Sequence, residues 1–124
     1  MPAYNFQKQF APLILAGIKT QTIRPRRKRP TRAGDTLYLY TGMRTKHCQK
    51  LIERPCVSVE PIRISDDASD LYYGSVWVSQ RGLSYPEMVD LSRKDGFPSL
   101  VSLFEFFTKT YGNLFEGELI KWEY

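Results

Sequence analysis

Two prolines, Pro25 and Pro30, bracket the most cationic run of this chain and limit how it can fold there. Proline fixes its own φ angle and has no amide hydrogen, so neither a helix nor a central strand continues through both positions. The run is therefore predicted to be a loop over residues 24–32. Its cationic side chains are Arg24, Arg26, Arg27, Lys28, Arg29 and Arg32.

This loop holds the whole charge excess of the chain. The formal net charge is +5, and the loop cations contribute +6, which leaves −1 for all other residues. A localised basic patch on a nearly neutral body indicates a polyanionic partner, and nucleic acid is the commonest soluble polyanion. Two alternatives stay open: a solvated loop that only raises solubility, and a segment that docks on an acidic protein.

The hydrophobic pattern changes between helical and strand periods along the chain. A helix over residues 6–17 is predicted to end at Gly17. A second helix is predicted at 84–96, with Ser84 and Glu87 forming a capping box at its start. A third helix is predicted at 99–112, with a buried stripe of Leu100, Leu103, Phe104, Phe107 and Tyr111. Pro61 interrupts one alternating run and indicates a bulge or an edge strand. Strand-like alternation occurs at residues 20–24, 34–42, 56–65, 75–80 and 118–124. This order predicts a single α+β domain over residues 1–124, with a small curled sheet flanked by helices.

Composition argues against several other classes of protein. No apolar run approaches the roughly 18 residues of a membrane helix, and the N-terminal residues lack the order of a signal peptide. We therefore expect a cytoplasmic protein that does not contact a membrane. Cys48 and Cys56 are expected to be free thiols. His47 beside Cys48 offers too few ligands for zinc, so neither a metal nor another cofactor is predicted.

Three segments of the chain resemble the ASCH domain, a member of the PUA-like superfamily. The most specific is LAGIKTQTIRP, in which Lys19, Thr20, Thr22 and Arg24 follow Gly17 in register. The segments GDTLYLYTGMRTK and SRKDGF support the resemblance, which runs from about residue 6 to residue 112.

The resemblance implies a small PUA-like β-barrel with peripheral helices and a cleft that binds RNA or a modified nucleoside. Some members of the family bind RNA, some are ribonucleases, and others release the acyl group of acetylcytidine. In the amidohydrolase members a lysine, the second threonine of the motif and a glutamate form the catalytic set. The matching residues here are Lys19, Thr22 and Asp95. Resemblance and charge together predict the following residues to bind nucleic acid: Thr20, Arg24, Arg26, Arg27, Lys28, Arg29, Arg32, Arg44 and Lys46.

Hydrolysis by this set has a definite chemical requirement. A threonine hydroxyl attacks poorly unless a base takes its proton, and lysine acts as that base only when it is neutral. Burial or nearby cations lower a lysine pKa in the required direction. We expect Lys19 to lie in a turn after Gly17, from which its side chain can reach Thr22. A non-catalytic RNA-binding module, a ribonuclease and an amidohydrolase of acetylated cytidine all remain open.

Overall fold

The computed structural model describes residues 2–66 and 74–122 of the chain. Its helices are a single 3-10 turn (Lys8–Phe10), α1 (Ala11–Leu15), α2 (Tyr85–Lys94) and α3 (Leu100–Tyr111). Its strands are β1 (Ala3–Phe6), β2 (Gln21–Arg24), β3 (Thr36–Thr41), β4 (Gln49–Ser65), β5 (Ser75–Val78), β6 (Arg81–Gly82) and β7 (Leu114–Trp122). Residues 25–35 form neither helix nor strand, as the bracketing prolines predict.

The strands form one mixed sheet organised by the long strand β4. The first half of β4 pairs with β3, whereas its second half lies between β5 and β7. β1 runs parallel to β3, and β2 is antiparallel to β7. The predicted α+β class is confirmed. Within the described residues, β1 pairs only with β3 and β2 only with β7, so the sheet is open and the expected closed barrel is not confirmed.

The first helix and the long strand β4 differ from the sequence prediction. The first helix is shorter than predicted, because Phe6 lies in β1, a strand of four residues that gives too short a pattern to recognise. β4 begins at Gln49 rather than at residue 56. Its pairing with β7 shifts register between Cys56 and Ser58, whereas Pro61 stays in register opposite Glu118. The bulge therefore precedes the proline that suggested it.

Helix α2 begins with the predicted capping box. The Ser84 hydroxyl accepts a hydrogen bond from the Glu87 amide, and the Glu87 carboxylate accepts one from the Ser84 amide. Arg81 binds the same carboxylate through both terminal nitrogens, at 2.8 and 3.1 Å. These hydrogen bonds, with that to Arg81 contributing most, lower the pKa of Glu87 to about 2. The cap fixes where α2 starts.

Helix α3 buries most of the apolar face that its sequence predicts. Its buried side chains are Leu100, Leu103, Phe104 and Phe107. Tyr111 was predicted in the same stripe but is 40% exposed, because it lies in the last turn, where the helix leaves the core. The ring of Tyr111 stacks on Phe107, with centroids 5.7 Å apart. The predicted strand over 118–124 is observed as β7, which begins four residues earlier, at Leu114. Residues 123 and 124 lie outside the described residues.

Replacing the cap residue, Ser84→Ala, is expected to lower the free energy of unfolding by about 1 kcal/mol, because it leaves a donor at the helix start without an acceptor. Urea unfolding followed by circular dichroism measures this loss. The exposed helix residue Thr110 provides the control, since Thr110→Ala removes no cap and should cause no loss. Equal stability of Ser84→Ala and the unaltered protein would contradict the role of the cap.

Candidate functional site

A narrow cleft of about 190 Å³ opens beside the C-terminal ends of β1 and α2. Aromatic rings from β1, the 3-10 turn and α3 form much of its wall. Its polar lining residues are Asn5, Gln7, Lys19, Thr22, Arg24 and Asp95. The cleft thus brings together all three residues that were predicted to be catalytic and one that was predicted to bind nucleic acid.

Lys19 is the buried cation of this cleft, with 2% of its surface exposed. Its Nζ donates to the backbone carbonyl of Asp95 at 2.5 Å and lies 3.6 Å from Oδ2 of the same residue. The ring centroids of Phe6 and Phe10 lie 5.5 and 4.9 Å from the amine. A carboxylate, a carbonyl and two aromatic faces therefore surround the charge.

The turn after α1 delivers Lys19 to this position, as predicted. Gly17 ends the helix with a φ of 77°, a left-handed conformation that glycine adopts without a steric penalty. The amide of Lys19 then donates to the Leu13 carbonyl at 3.0 Å, which closes the turn. The amide of Thr20 donates to the Lys94 carbonyl at 3.0 Å and attaches the turn to the end of α2. Two chain segments distant in sequence are joined here.

A second glycine allows the two segments to approach closely. Asp95 is the C-cap of α2, and Gly96 follows it with a φ of 91°. A Cβ atom at Gly96 would lie 3.1 Å from Cδ of Lys19 and 3.0 Å from the Phe10 ring. A side chain at this position would therefore be strained in its backbone and crowded against the lysine.

Burial shifts both members of the pair toward their neutral forms. Desolvation lowers the pKa of Lys19, the Asp95 carboxylate opposes this fall, and Arg24 reinforces it. Desolvation raises the pKa of Asp95, while Lys19 and a hydrogen bond from Gln21 oppose this rise. These directions are the ones that a general base and a general acid require at neutral pH.

Thr22 and Arg24 lie side by side on β2 at the cleft. Nε of Arg24 donates to the Thr22 hydroxyl oxygen at 3.0 Å, and Nη2 donates to the Asn5 carbonyl at 2.5 Å. The guanidinium also lies over the Phe6 ring, 4.8 Å from its centroid. Lys19 and Thr22 line the same cleft, as the predicted reach of the lysine requires. The lysine amine is hydrogen-bonded to the Asp95 carbonyl, however, and makes no hydrogen bond to Thr22.

Gln21 is a buried polar residue that sequence reasoning missed. Its Nε2 lies 3.3 Å from Oδ1 of Asp95 and 3.3 Å from the Leu91 carbonyl, and the residue is 1% exposed. The amide thereby holds one oxygen of the carboxyl while the other faces Lys19. In the sequence, Gln21 is only a polar residue on the face of β2 opposite Thr22. That position does not reveal that its partners lie on a distant helix.

The basic loop lies mostly outside the cleft. Arg27 donates to the Ala3 carbonyl at 3.2 Å, and its guanidinium lies 5.0 Å from the Tyr4 ring centroid. The Tyr4 hydroxyl bonds the Thr31 hydroxyl at 2.5 Å. These contacts anchor the loop on β1. Arg26, Lys28, Arg29 and Arg32 have exposed side chains, and only Arg24 enters the cleft.

The remaining predicted contact residues also lie outside the cleft. Thr20 is half-buried beside it, whereas Arg44 and Lys46 are exposed on the turn between β3 and β4. Arg44 has a φ of 66°, a left-handed conformation uncommon for a residue with a side chain. This turn reaches the cleft rim through the Met43 amide, which donates to the Asn5 side-chain oxygen at 2.9 Å.

Comparison of the chain with protein-family models, with characterised proteins and with solved structures finds no match. The described part of the chain holds no group of three or more histidine, cysteine, aspartate or glutamate side chains arranged to bind a metal ion. Of the helices in residues 2–66 and 74–122, none combines the length and the apolar character needed to cross a membrane.

The variant Lys19→Met is expected to lose about 3–5 kcal/mol of unfolding free energy near pH 7, because it leaves the buried Asp95 carboxyl without its cation. The double variant Lys19→Met/Asp95→Asn should recover part of that loss, since no charge is then left unpaired. The loss should also be smaller near pH 4 than near pH 8. Burial raises the pKa of Asp95, so its contribution to stability is present at low pH and is lost as pH rises through that pKa.

Denaturant unfolding of four proteins across this pH range measures both effects: the unaltered protein, Lys19→Met, Asp95→Asn and the double variant. Losses that simply add in the double variant, or that do not change with pH, would contradict a coupled buried pair.

Proposed function

We propose that this chain is an RNA-binding protein of the ASCH class that takes the base or the sugar-phosphate unit of one nucleotide into the cleft and contacts neighbouring phosphates with its basic loop. One observation carries this proposal. Arg24 is the last residue of β2 and lines the cleft, and the cationic loop continues directly from it. A PUA-like barrel is part of the proposal. It is favoured by the contact of Arg24 with the Asn5 carbonyl, which brings the unpaired sides of β2 and β1 together.

The cleft has the size and lining expected for part of a nucleotide. Its volume of about 190 Å³ is below the roughly 300 Å³ at which pockets for drug-sized ligands begin, so it accommodates a single base or sugar-phosphate unit. The guanidinium of Arg24 suits a phosphate, since it donates from a planar fork. The exposed ring of Tyr111 lines the same cleft and offers a surface for stacking a base.

The loop supplies the remaining attraction. Arg27 is fixed on β1, whereas Lys28, Arg29 and Arg32 project from the anchored loop into solvent. Arg44 and Lys46 extend the basic surface on the turn next to the cleft rim. A loop that is anchored at Tyr4 before the ligand arrives loses less conformational entropy on binding than a free one.

Binding of a short single-stranded RNA is expected to weaken with salt, with a slope of about −0.7 in log K per log salt for each phosphate neutralised. The variant Lys28→Gln/Arg29→Gln should flatten this slope by about 1.4, twice the value for one phosphate. Fluorescence anisotropy with a labelled oligonucleotide at several salt concentrations measures the slope. Arg93→Gln/Lys109→Gln removes the same charge from exposed positions on α2 and α3 and serves as the matched control.

An affinity that does not depend on salt would contradict the proposal. The same conclusion would follow if the control variant flattened the slope as much as the loop variant.

A second candidate function is hydrolysis of an acylated nucleoside, and the paired pKa shifts favour it. Lys19 is shifted toward the neutral amine and Asp95 toward the neutral acid, while the Thr22 hydroxyl lies in the same cleft. In this mechanism Lys19 takes the proton of Thr22, whose oxygen attacks the acyl carbon. Arg24 stabilises the resulting oxyanion, and Asp95 gives its proton to the departing amine nitrogen.

Completion of the reaction requires water to hydrolyse the acyl-threonine, which restores the hydroxyl of Thr22 and releases the acid. The proton that Lys19 took from Thr22 then passes to the Asp95 carboxylate, whose Oδ2 lies 3.6 Å from the amine, so that both groups return to their starting forms. The first proton transfer also requires a change from the present geometry, because the Lys19 amine is hydrogen-bonded to the backbone carbonyl of Asp95. Either the lysine turns toward Thr22 when the ligand displaces its present contacts, or one water molecule bridges the two groups. Catalytic hydrogen bonds that tighten only in the substrate complex are common.

With acetylcytidine as the substrate, Thr22→Val is expected to abolish product formation, whereas Thr22→Ser should retain part of it. The first change removes the nucleophilic oxygen at nearly constant shape, and the second keeps it. Thr36→Val is the matched control, because Thr36 is exposed at the start of β3 and lies outside the cleft lining. Chromatographic detection of cytidine measures turnover.

Turnover that persists in Thr22→Val with the fold intact would contradict the nucleophile assignment. If RNA binds but neither the unaltered protein nor a variant forms product, the chain is a binding module. Labelled single-stranded RNA, incubated in parallel, shows whether the bond that breaks is instead a phosphodiester.

A further inference from the structure

A second and larger concave surface lies on the sheet, separate from the cleft. This groove has a volume of about 880 Å³ and runs across β4, β5 and β7 next to the start of the basic loop. Its floor includes Pro61 and Gly117. The side chains that give it chemical character are Arg26, Arg63, Trp77, Gln80, Glu116 and Glu118.

An exposed tryptophan forms one side of the groove. Trp77 is 37% exposed, and a Cβ atom at Gly82 would lie 3.4 Å from its ring, so the backbone of β6 supports the indole. The guanidinium of Arg63 lies 5.4 Å from the Trp77 ring centroid. Arg63 is the register partner of both Trp77 and Glu116, so the three residues form a row across three strands. Such a row of aromatic ring and guanidinium provides planar surfaces on which a base can stack.

The charges in the groove alternate instead of sharing one sign. Arg26 and Arg63 are cationic, whereas Glu116 and Glu118 are anionic, and these four side chains make no ion pair within residues 2–66 and 74–122. A continuous run of phosphates would be repelled by the glutamates. The arrangement instead suits a nucleotide whose phosphates meet the arginines and whose base presents amino hydrogens to the carboxylates.

A strained turn places one more polar group at the groove. Ser79 and Gln80 connect β5 to β6 with φ angles of 50° and 67°, the left-handed conformation that glycine or asparagine usually occupies in such hairpins. Strain of this kind is often found at ligand sites. Here it places Gln80 in the groove lining, where an amide can both donate to and accept from a base edge.

The chain itself connects the groove to the cleft. A Cβ atom at Gly117 would lie 2.4 Å from the Arg24 carbonyl, so the end of β2 passes directly over the groove floor. Arg24 lines the cleft, and Arg26, two residues later, lines the groove. Two cations that are two residues apart in the chain thus line the cleft and the groove, respectively.

From this continuity we infer that the groove binds a nucleotide of a single-stranded RNA adjacent to the one held in the cleft, with its base stacked on the Arg63–Trp77 pair. This inference rests on the proposed function, and it makes an RNA strand rather than a free nucleoside the ligand of the whole surface. The glutamates give the groove a preference for bases that carry an exocyclic amine. Cytosine has such an amine, whereas uracil does not.

The test compares a fluorescently labelled eight-nucleotide oligo(C) with cytidine 5′-monophosphate as ligands of the same proteins. Trp77→Leu is expected to weaken oligo(C) binding by about five- to 150-fold, the range for loss of one stacked base, and to leave monophosphate binding unchanged. Tyr85→Leu changes an exposed aromatic residue outside both the cleft and the groove, and it should affect neither ligand. Trp77→Phe should retain most of the oligo(C) affinity, because phenylalanine also stacks.

Two further measurements keep the test decisive if Trp77→Leu disturbs the fold. Trp122 is buried, so quenching of tryptophan fluorescence by oligo(C) in the unaltered protein reports on Trp77 and should be absent in Trp77→Phe. The unaltered protein should also bind oligo(C) more tightly than oligo(U), and Glu116→Gln/Glu118→Gln should reduce that preference.

The outcomes separate this inference from the proposed function. Suppose that cytidine 5′-monophosphate binds, and that Trp77→Leu and the unaltered protein bind oligo(C) with equal affinity. This result would overturn the groove site and leave the cleft proposal standing. Absence of binding by either ligand would overturn both. Equal affinities for oligo(C) and oligo(U) would overturn the role of the glutamates in base recognition.

Discussion

The buried pair of Lys19 and Asp95 is the interaction on which the site depends. It joins the turn after α1 to the end of α2, and Gly96 and Gln21 take their positions around it. Removing two charges from water costs several kcal/mol per ion, so an apolar pair of similar volume would hold these segments together at least as well. Burial lowers the pKa of Lys19 and raises that of Asp95, and shifts of this kind cluster at functional sites.

Strand β2 and the loop after it contribute cations to two separate surfaces. Arg24 enters a small and largely aromatic cleft, whereas Arg26 reaches a wider groove in which charges of both signs alternate. The other loop cations remain in solvent on a loop held by Tyr4. Under the proposed function, attraction over a distance and discrimination at short range come from different residues, as is usual for nucleic-acid recognition.

Sequence reasoning was most successful where the determining interactions are local. The capping box at Ser84 and the turn at Gly17 follow from neighbouring residues, and so does the loop enclosed by the two prolines. The convergence of Lys19 and Asp95 was expected only through the resemblance to a family. Gln21 could not be assigned, because its two partners, Leu91 and Asp95, lie 70 and 74 residues further along the chain. The groove was also missed, since it arises from register among strands that are distant in sequence.

The most direct measurement of the central claim is a titration of isotope-labelled protein with cytidine 5′-monophosphate, followed by NMR. We predict that the largest chemical-shift changes occur at Lys19, Thr22 and Arg24 and at the Asp95–Phe97 turn. The signal of the Lys19 side-chain amine should change as well. These residues meet only in the folded cleft, so such a pattern would locate the ligand there. Shift changes confined to the basic loop, with none at Lys19 or Asp95, would contradict the claim that the buried pair forms the floor of a nucleotide site.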